Sequence, residues 1–212
     1  MIRAVAWYCA QDYGVLMPGG RSWQKPSPAF SATADILALI DRPVKYFGRL
    51  TTESRLGLCA ASVALRATGW QESTNREIGI ISSTPDGCLR DNREYFQDYV
   101  DSGRTLGRGN LFIYTLPTSV AGEIAIALGL VGPCMFVQDD ARPLTSLARH
   151  AQRLVADGEA DQMLALWSDS RFALCLAIDS IEGDNPIFAL LADSQSAPSQ
   201  LIRDLQTMVS KA

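Results

Sequence analysis

The 212-residue chain is 47% hydrophobic and 20% charged, a balance that excludes disorder, collagen and coiled coil as descriptions of the whole. Its 19 basic and 23 acidic residues give a net charge of −4, so nucleic acid is not an expected partner. No apolar run reaches the roughly 18 residues of a membrane-spanning helix. The five cysteines (Cys9, Cys59, Cys88, Cys134, Cys175) are scattered and odd in number, which reads as reduced cytoplasmic thiols. One histidine, His150, leaves no set for a histidine-based zinc site, and neither a metal nor another cofactor is expected.

In chain order, Ile2–Cys9 reads as a buried strand, and it lacks a signal-peptide pattern. Met17 to Phe30, punctuated by Pro18-Gly19-Gly20 and Pro26-Ser27-Pro28, reads as loop. Thr33–Ile40 reads as a short helix stopped near Pro43. Thr51-Thr52 then offers an N-cap to a helix with Leu56, Ala60, Val63 and Ala64 on one face and Gly69 at its end. Its many small residues predict close packing on a sheet. Glu77–Ser82 reads as a buried strand. Leu89–Val100 reads as a helix with Tyr95, Phe96 and Tyr99 on one side.

Asn110–Thr115 reads as a short aromatic, extended stretch, and Ser119–Leu128 as an apolar helix ended by Gly129. Cys134–Val137 is a further strand. Leu144–Ala156 is a helix whose Leu144, Leu147, Ala148, Ala151, Leu154 and Val155 form one stripe, with Arg149, His150 and Arg153 off it. Gln162–Trp167 and Phe172–Ile178 read as consecutive strands, Ile187–Leu191 as a candidate last strand and Pro198–Val209 as a closing helix. Strands alternating with helices predict an α/β domain: a mixed, mainly parallel sheet with helices on both faces and one antiparallel edge late in the chain.

Few residues offer chemistry. Gly103–Gly109 follows a helix instead of a strand, so it reads as a loop or lid and not as a phosphate cradle. Asp139-Asp140 after a strand could hold Mg²⁺, but a helix N-terminus explains two acids there equally well. Cys88 before a helix, or Ser82-Ser83 at the end of a strand, could serve a small acyl-transfer enzyme. No base and orienting group are visible for either.

Two stretches carry a resemblance. Tyr114-Thr115-Leu116-Pro117-Thr118-Ser119-Val120-Ala121-Gly122-Glu123-Ile124-Ala125, with Gly129-Leu130-Val131-Gly132-Pro133, resembles the N-terminal half of β-ketoacyl-acyl-carrier-protein synthases. Ala151 to Ala165 resembles the helix and strand that follow the nucleophile in that family. The resemblance implies a thiolase-like half-fold over residues 1–212, a single ketosynthase-like domain. It also places the nucleophilic cysteine eight residues after Pro133 and seventeen before Gly158. Both counts fall on Ala141, which has no nucleophilic atom. The two catalytic histidines, or histidine and asparagine, of the family's C-terminal half are absent as well.

By that resemblance the chain is expected to be inactive in condensation. It would act as a chain-length factor or scaffold partner, in a heterodimer with an active ketosynthase and indirectly with acyl carrier protein. The setting would be type II fatty acid or polyketide synthesis, aryl polyene formation included. The implied interface holds Thr115, Pro117, Thr118, Glu123, Cys134, Met135, Phe136 and Val137. The implied acyl-tunnel lining is Phe112, Tyr114 and Phe136. A self-associating structural or regulatory protein, homodimeric through the same surface, is the alternative, beside the Cys88 or Ser82 enzyme.

Overall fold

The strand Phe172–Asp179 (β7) is buried along its whole length, and its side chains divide by size. Ala173, Cys175 and Ala177 face one side, and Leu174, Leu176 and Ile178 face the other. The small side meets the helix Thr52–Thr68 (α2), where Gly57, Ala60, Ala61 and Ala64 are buried. Small residues on both partners let helix and sheet approach closely, as the composition of α2 predicts. The buried set on α2 is wider than one face, running almost without a break from Ser54 to Leu65, because other helices cover its back.

The computed structural model describes residues 1–19, 22–29, 33–72, 77–105, 107–139, 141–180 and 198–210. Its seven-stranded sheet runs β3-β2-β1-β7-β6-β4-β5. The strands are Ile2–Cys9 (β1), Asp12–Leu16 (β2), Trp23–Pro26 (β3), Ile78–Ser83 (β4), Cys134–Phe136 (β5), Gln162–Ser168 (β6) and β7. The helices are Thr33–Ile40 (α1), α2, Leu89–Asp101 (α3), Gly109–Phe112 (α4), Ser119–Leu128 (α5), Pro143–Ala156 (α6) and Pro198–Ser210 (α7). One core lies between the sheet and α1, α2 and α5. The other lies between the sheet and α6 and α7. Adjacent residues of β4 serve both, Ile80 toward α2 and Ile81 toward α6.

The sheet is mixed with helices on both faces, as expected, but antiparallel pairing outweighs parallel. Among the described strands only β4–β5 and β4–β6 are parallel. The ladders β1–β2, β1–β7, β2–β3 and β6–β7 are antiparallel. Two differences from the sequence reading cause this. First, β3 adds a strand inside Met17–Phe30, which was expected to be loop throughout, and β2 adds another at Asp12–Leu16, to which the sequence reading assigned no element. Second, the β6–β7 hairpin lies at the centre of the sheet and not at an edge, because β1 pairs with the far side of β7.

Other departures are local. Asn110–Thr115 is helical, as α4 followed by a 3₁₀ turn at Ile113–Thr115, and not extended. On α3, Tyr95 and Tyr99 are half-buried four residues apart, while Phe96 lies about 100° around the helix and is exposed. Ile187–Leu191 and Asp140 lie outside the described residues. No described helix is long and apolar enough to cross a membrane.

Candidate functional site

The parallel strands β4, β5 and β6 end together, and β1 ends beside them because both β1 and β6 run antiparallel to β7. Ligands of layered α/β proteins gather outside such carboxyl ends. Ala141 lies at this edge, between β5 and α6, and is exposed. The Asp139 carboxylate accepts the backbone N–H of Ala141 at 3.1 Å and of Arg142 at 3.0 Å. Those hydrogen bonds, Arg142's foremost, hold its carboxyl below the ordinary carboxylate range. Pro143 opens α6, where a missing N–H costs nothing. Asp139 therefore closes a turn into α6, the explanation already available from the sequence.

The Gly129–Pro133 stretch has a packing reason. Gly129 ends α5 in the left-handed region, φ 66°. A Cβ on Gly132 would sit 2.6 Å from the Gly79 backbone nitrogen, so glycine alone allows this approach to β4. The close contact carries three hydrogen bonds. Gly132 N donates to Ile78 O, Ile80 N to Pro133 O, and Val137 N to Ser82 O. The pairing thus continues beyond the three residues of β5, as far as Val137.

Among the described strands β5 is at an edge, paired on one side only. Met135 on β5 is 40% exposed and Val131, just before it, 75%; on α5 and its approach, Ile126 is 81% and Leu116 54% exposed. Cys134 is exposed, Phe136 and Val137 are half-buried, and Pro117 and Thr118 are exposed. Of the other residues named for the interface, Thr115 is half-buried. Its carbonyl accepts from the Cys88 thiol at 2.9 Å. Glu123 is half-buried on the wall of a cavity of about 480 Å³.

The three aromatic residues named for a tunnel have different neighbours. Tyr114 lines that same cavity and donates its hydroxyl to Arg49 O at 3.2 Å. Phe112 packs edge-on against Tyr95, with ring centroids 5.6 Å apart. Phe136 lies on β5, and its ring tip is the neighbour a Cβ on Gly87 would meet at 4.0 Å.

Cys88 caps α3 and is half-buried. Its thiol donates to Thr115 O and accepts from Asn92 Nδ2 at 3.0 Å, so both roles are filled by packing groups. His150 stands on the exposed side of α6 and bonds the Ser146 carbonyl at 2.8 Å. Ser82, Ser83 and Ser168 are almost fully buried, and their hydroxyls have no hydrogen-bond partner among the described residues. Arg108 and Asp98, 2.5 Å apart, pin the loop after α3. No group of three or more metal-ligating side chains occurs among the described residues.

This architecture is the ketosynthase fold. The structure titled "The ishigamide ketosynthase/chain length factor" superposes with a TM-score of 0.56 at 14% identity. The alignment covers 87% of this chain and 63% of that one, so the chain spans less than two thirds of its length. A ketosynthase (ApeO) in complex with its chain length factor (ApeC), from Xenorhabdus doucetiae, superposes at 0.53 with 15% identity. That alignment covers 86% and 80% of the two chains. No protein-family model matches the sequence, and no curated protein matches it. The likeness is therefore one of fold.

Proposed function

We propose that the chain, as one ketosynthase-like domain over residues 1–212, is a non-catalytic partner subunit of an active ketosynthase. Its role resembles that of a chain-length factor in type II fatty acid or polyketide synthesis, aryl polyene formation included. The observation that carries this reading is Ala141. At the β5–α6 turn, where the resemblance puts the nucleophile, the side chain is a methyl group and the backbone amides are bound by Asp139. Acyl transfer by covalent catalysis needs a thiol or hydroxyl with a base in reach, and none stands at that turn among the described residues.

The open edge of β5 supports the partner half of the proposal. A strand with one side unpaired among the described residues, bearing exposed Met135 and following exposed Val131, is a template for another chain. Of the interface expected from the resemblance, Cys134 to Val137 lie on or next to this edge. The five free cysteines suit a reducing, cytoplasmic setting.

The test is co-expression with the ketosynthase encoded nearest to this chain, followed by size exclusion with light scattering. The expected result is a one-to-one complex in which Cys134 is shielded from alkylation. A monomer that ignores the ketosynthase, or a homodimer that persists in its presence, would overturn the proposal.

A further inference from the structure

A second feature stands at the same end of the sheet, across β4 and β6 from Ala141, and owes nothing to the partner proposal. A cavity of about 870 Å³ opens between the end of β1, the start of α2, the β6–β7 turn and α7. Its volume falls in the range of roughly 300–1,000 Å³ that small-molecule sites occupy. Tyr8, Pro28, Leu56, Phe172 and Ile202 give it apolar walls. The Tyr8 hydroxyl is turned to Pro28 O at 2.9 Å, so the ring presents carbon. The thiol of Cys9 on the same wall is bonded to Asp12 O at 3.2 Å.

The charge on the lining is one-sided. In a chain with more acids than bases, the lining holds, among the described residues, Arg171 and Arg203 and no aspartate or glutamate. Arg171 uses Nε and Nη2 to hold Asp169, at 3.1 and 2.9 Å, and its Nη1 lies outside that fork. Arg203 uses the same two nitrogens on Gln200, so its Nη1 is outside that contact too. Gln200 is neutral, and the Arg203 charge is not cancelled by it. Thr52, in the first turn of α2, adds the positive end of a 17-residue helix to the wall.

From this geometry we infer that the cavity binds an amphipathic anion, with an aliphatic or aryl body between Tyr8, Leu56, Phe172 and Ile202 and a carboxylate or phosphate monoester head at Arg203 and Arg171. The apolar walls suit the body; Arg203, whose contact is the neutral Gln200, suits the charge, and the Nη1 of Arg171, whose charge is shared with Asp169, adds a donor. The hydrogen bonds of the β6–β7 turn pre-form the site. Asp169 accepts the backbone N–H of Arg171 at 2.7 Å and of Phe172 at 2.9 Å, fixing both residues before any ligand arrives.

The test is an NMR titration of the full chain with sodium octanoate, octyl phosphate and 1-octanol. One anion is expected to bind saturably with shifts at Phe172 and Ile202, and octanol about tenfold or more weaker. Preference for octanoate or for octyl phosphate identifies the head. Arg203→Gln, on an exposed side chain, is expected to weaken the anion about tenfold with no change in melting temperature. Ser199→Trp, on the lip, is expected to fill the opening and abolish binding. Equal binding of octanol, shifts confined to another surface, or titrations indifferent to both substitutions would overturn the inference. None of these readouts depends on a ketosynthase.

Discussion

Gln206 donates its side-chain amide to both carboxylate oxygens of Asp12, at 2.9 and 3.0 Å, across 194 residues of sequence. The same carboxylate accepts Trp7 Nε1 at 2.7 Å and Gln24 Nε2 at 2.9 Å. One acid thus joins β1, β2, the edge strand β3 and α7. Trp7 is fully buried, so its N–H has no access to water in place of Asp12. Asp12→Ala is expected to destabilise the protein by about 1–3 kcal/mol, the cost of an orphaned buried donor. Gln206→Ala, which leaves the Trp7 bond in place, is expected to cost less and to raise hydrogen exchange in α7 first. Equal losses for the two variants in denaturant titrations would count against Asp12 as the common anchor.

The Gly132–Gly79 approach makes a sharper prediction. A methyl group on either residue meets backbone or side-chain atoms at 2.4–2.8 Å, closer than packed atoms tolerate. Gly132→Ala is expected to cost about 1–3 kcal/mol by overpacking and to push β5 away from β4. If β5 is the partner edge, complex formation should fall more than overall stability does. Parallel loss of both would show that the strand is needed only for folding.

The pattern of buried residues made most of this fold legible, but not its left-hand edge. β1, β4, β6 and β7 are mainly apolar runs, and their composition and length identify them without partners. β2 and β3 contain Asp12, Gly14, Gln24, Lys25 and Pro26, and their strand state depends on pairing with β1 and on the Asp12 contacts, which no local window contains. The sheet's antiparallel balance was hidden with them. The reading of Ala141 came from the resemblance, counted from Pro133 and Gly158; nothing local to the turn marks that residue. The large cavity was not legible, since its walls come from residues 8–11, 28–29, 52–56, 170–172 and 199–206. Nothing in the sequence announces that these segments converge.

Asp139 gives a pH dependence with a definite sign. Its folded-state pKa lies below the ordinary aspartate value because the Arg142 and Ala141 amides bind the charged form. Its contribution is therefore present above about pH 4 and is lost as pH falls through the depressed value. Asp139→Ala is expected to lower the melting temperature at pH 7 by fraying the start of α6, and Asp139→Asn less, because the amide oxygen still accepts. The gap between wild type and Asp139→Ala should close in strong acid. A gap that persists there would assign the effect to shape and not to charge.

The cysteines predict both a reactivity order and a loss of stability in alkali. Cys9, Cys59 and Cys175 are buried, Cys88 is half-buried and Cys134 is exposed. At pH 8 a thiol reagent is expected to titrate Cys134 and then Cys88, with the other three reacting only after unfolding. Burial pushes the Cys59 thiol up to about 12 and that of Cys175 higher still. An unfolded thiol ionises near pH 8.5, so in the unfolded chain these groups give up protons that the folded chain retains. Their contribution to stability is complete below that pH and declines as pH rises toward the folded values. Melting temperature should fall steadily above about pH 9, and Cys59→Ala should fall less steeply than wild type. A flat profile from pH 8 to 11 would mean that these thiols reach solvent in the folded chain, contrary to the packing of α2 against β7.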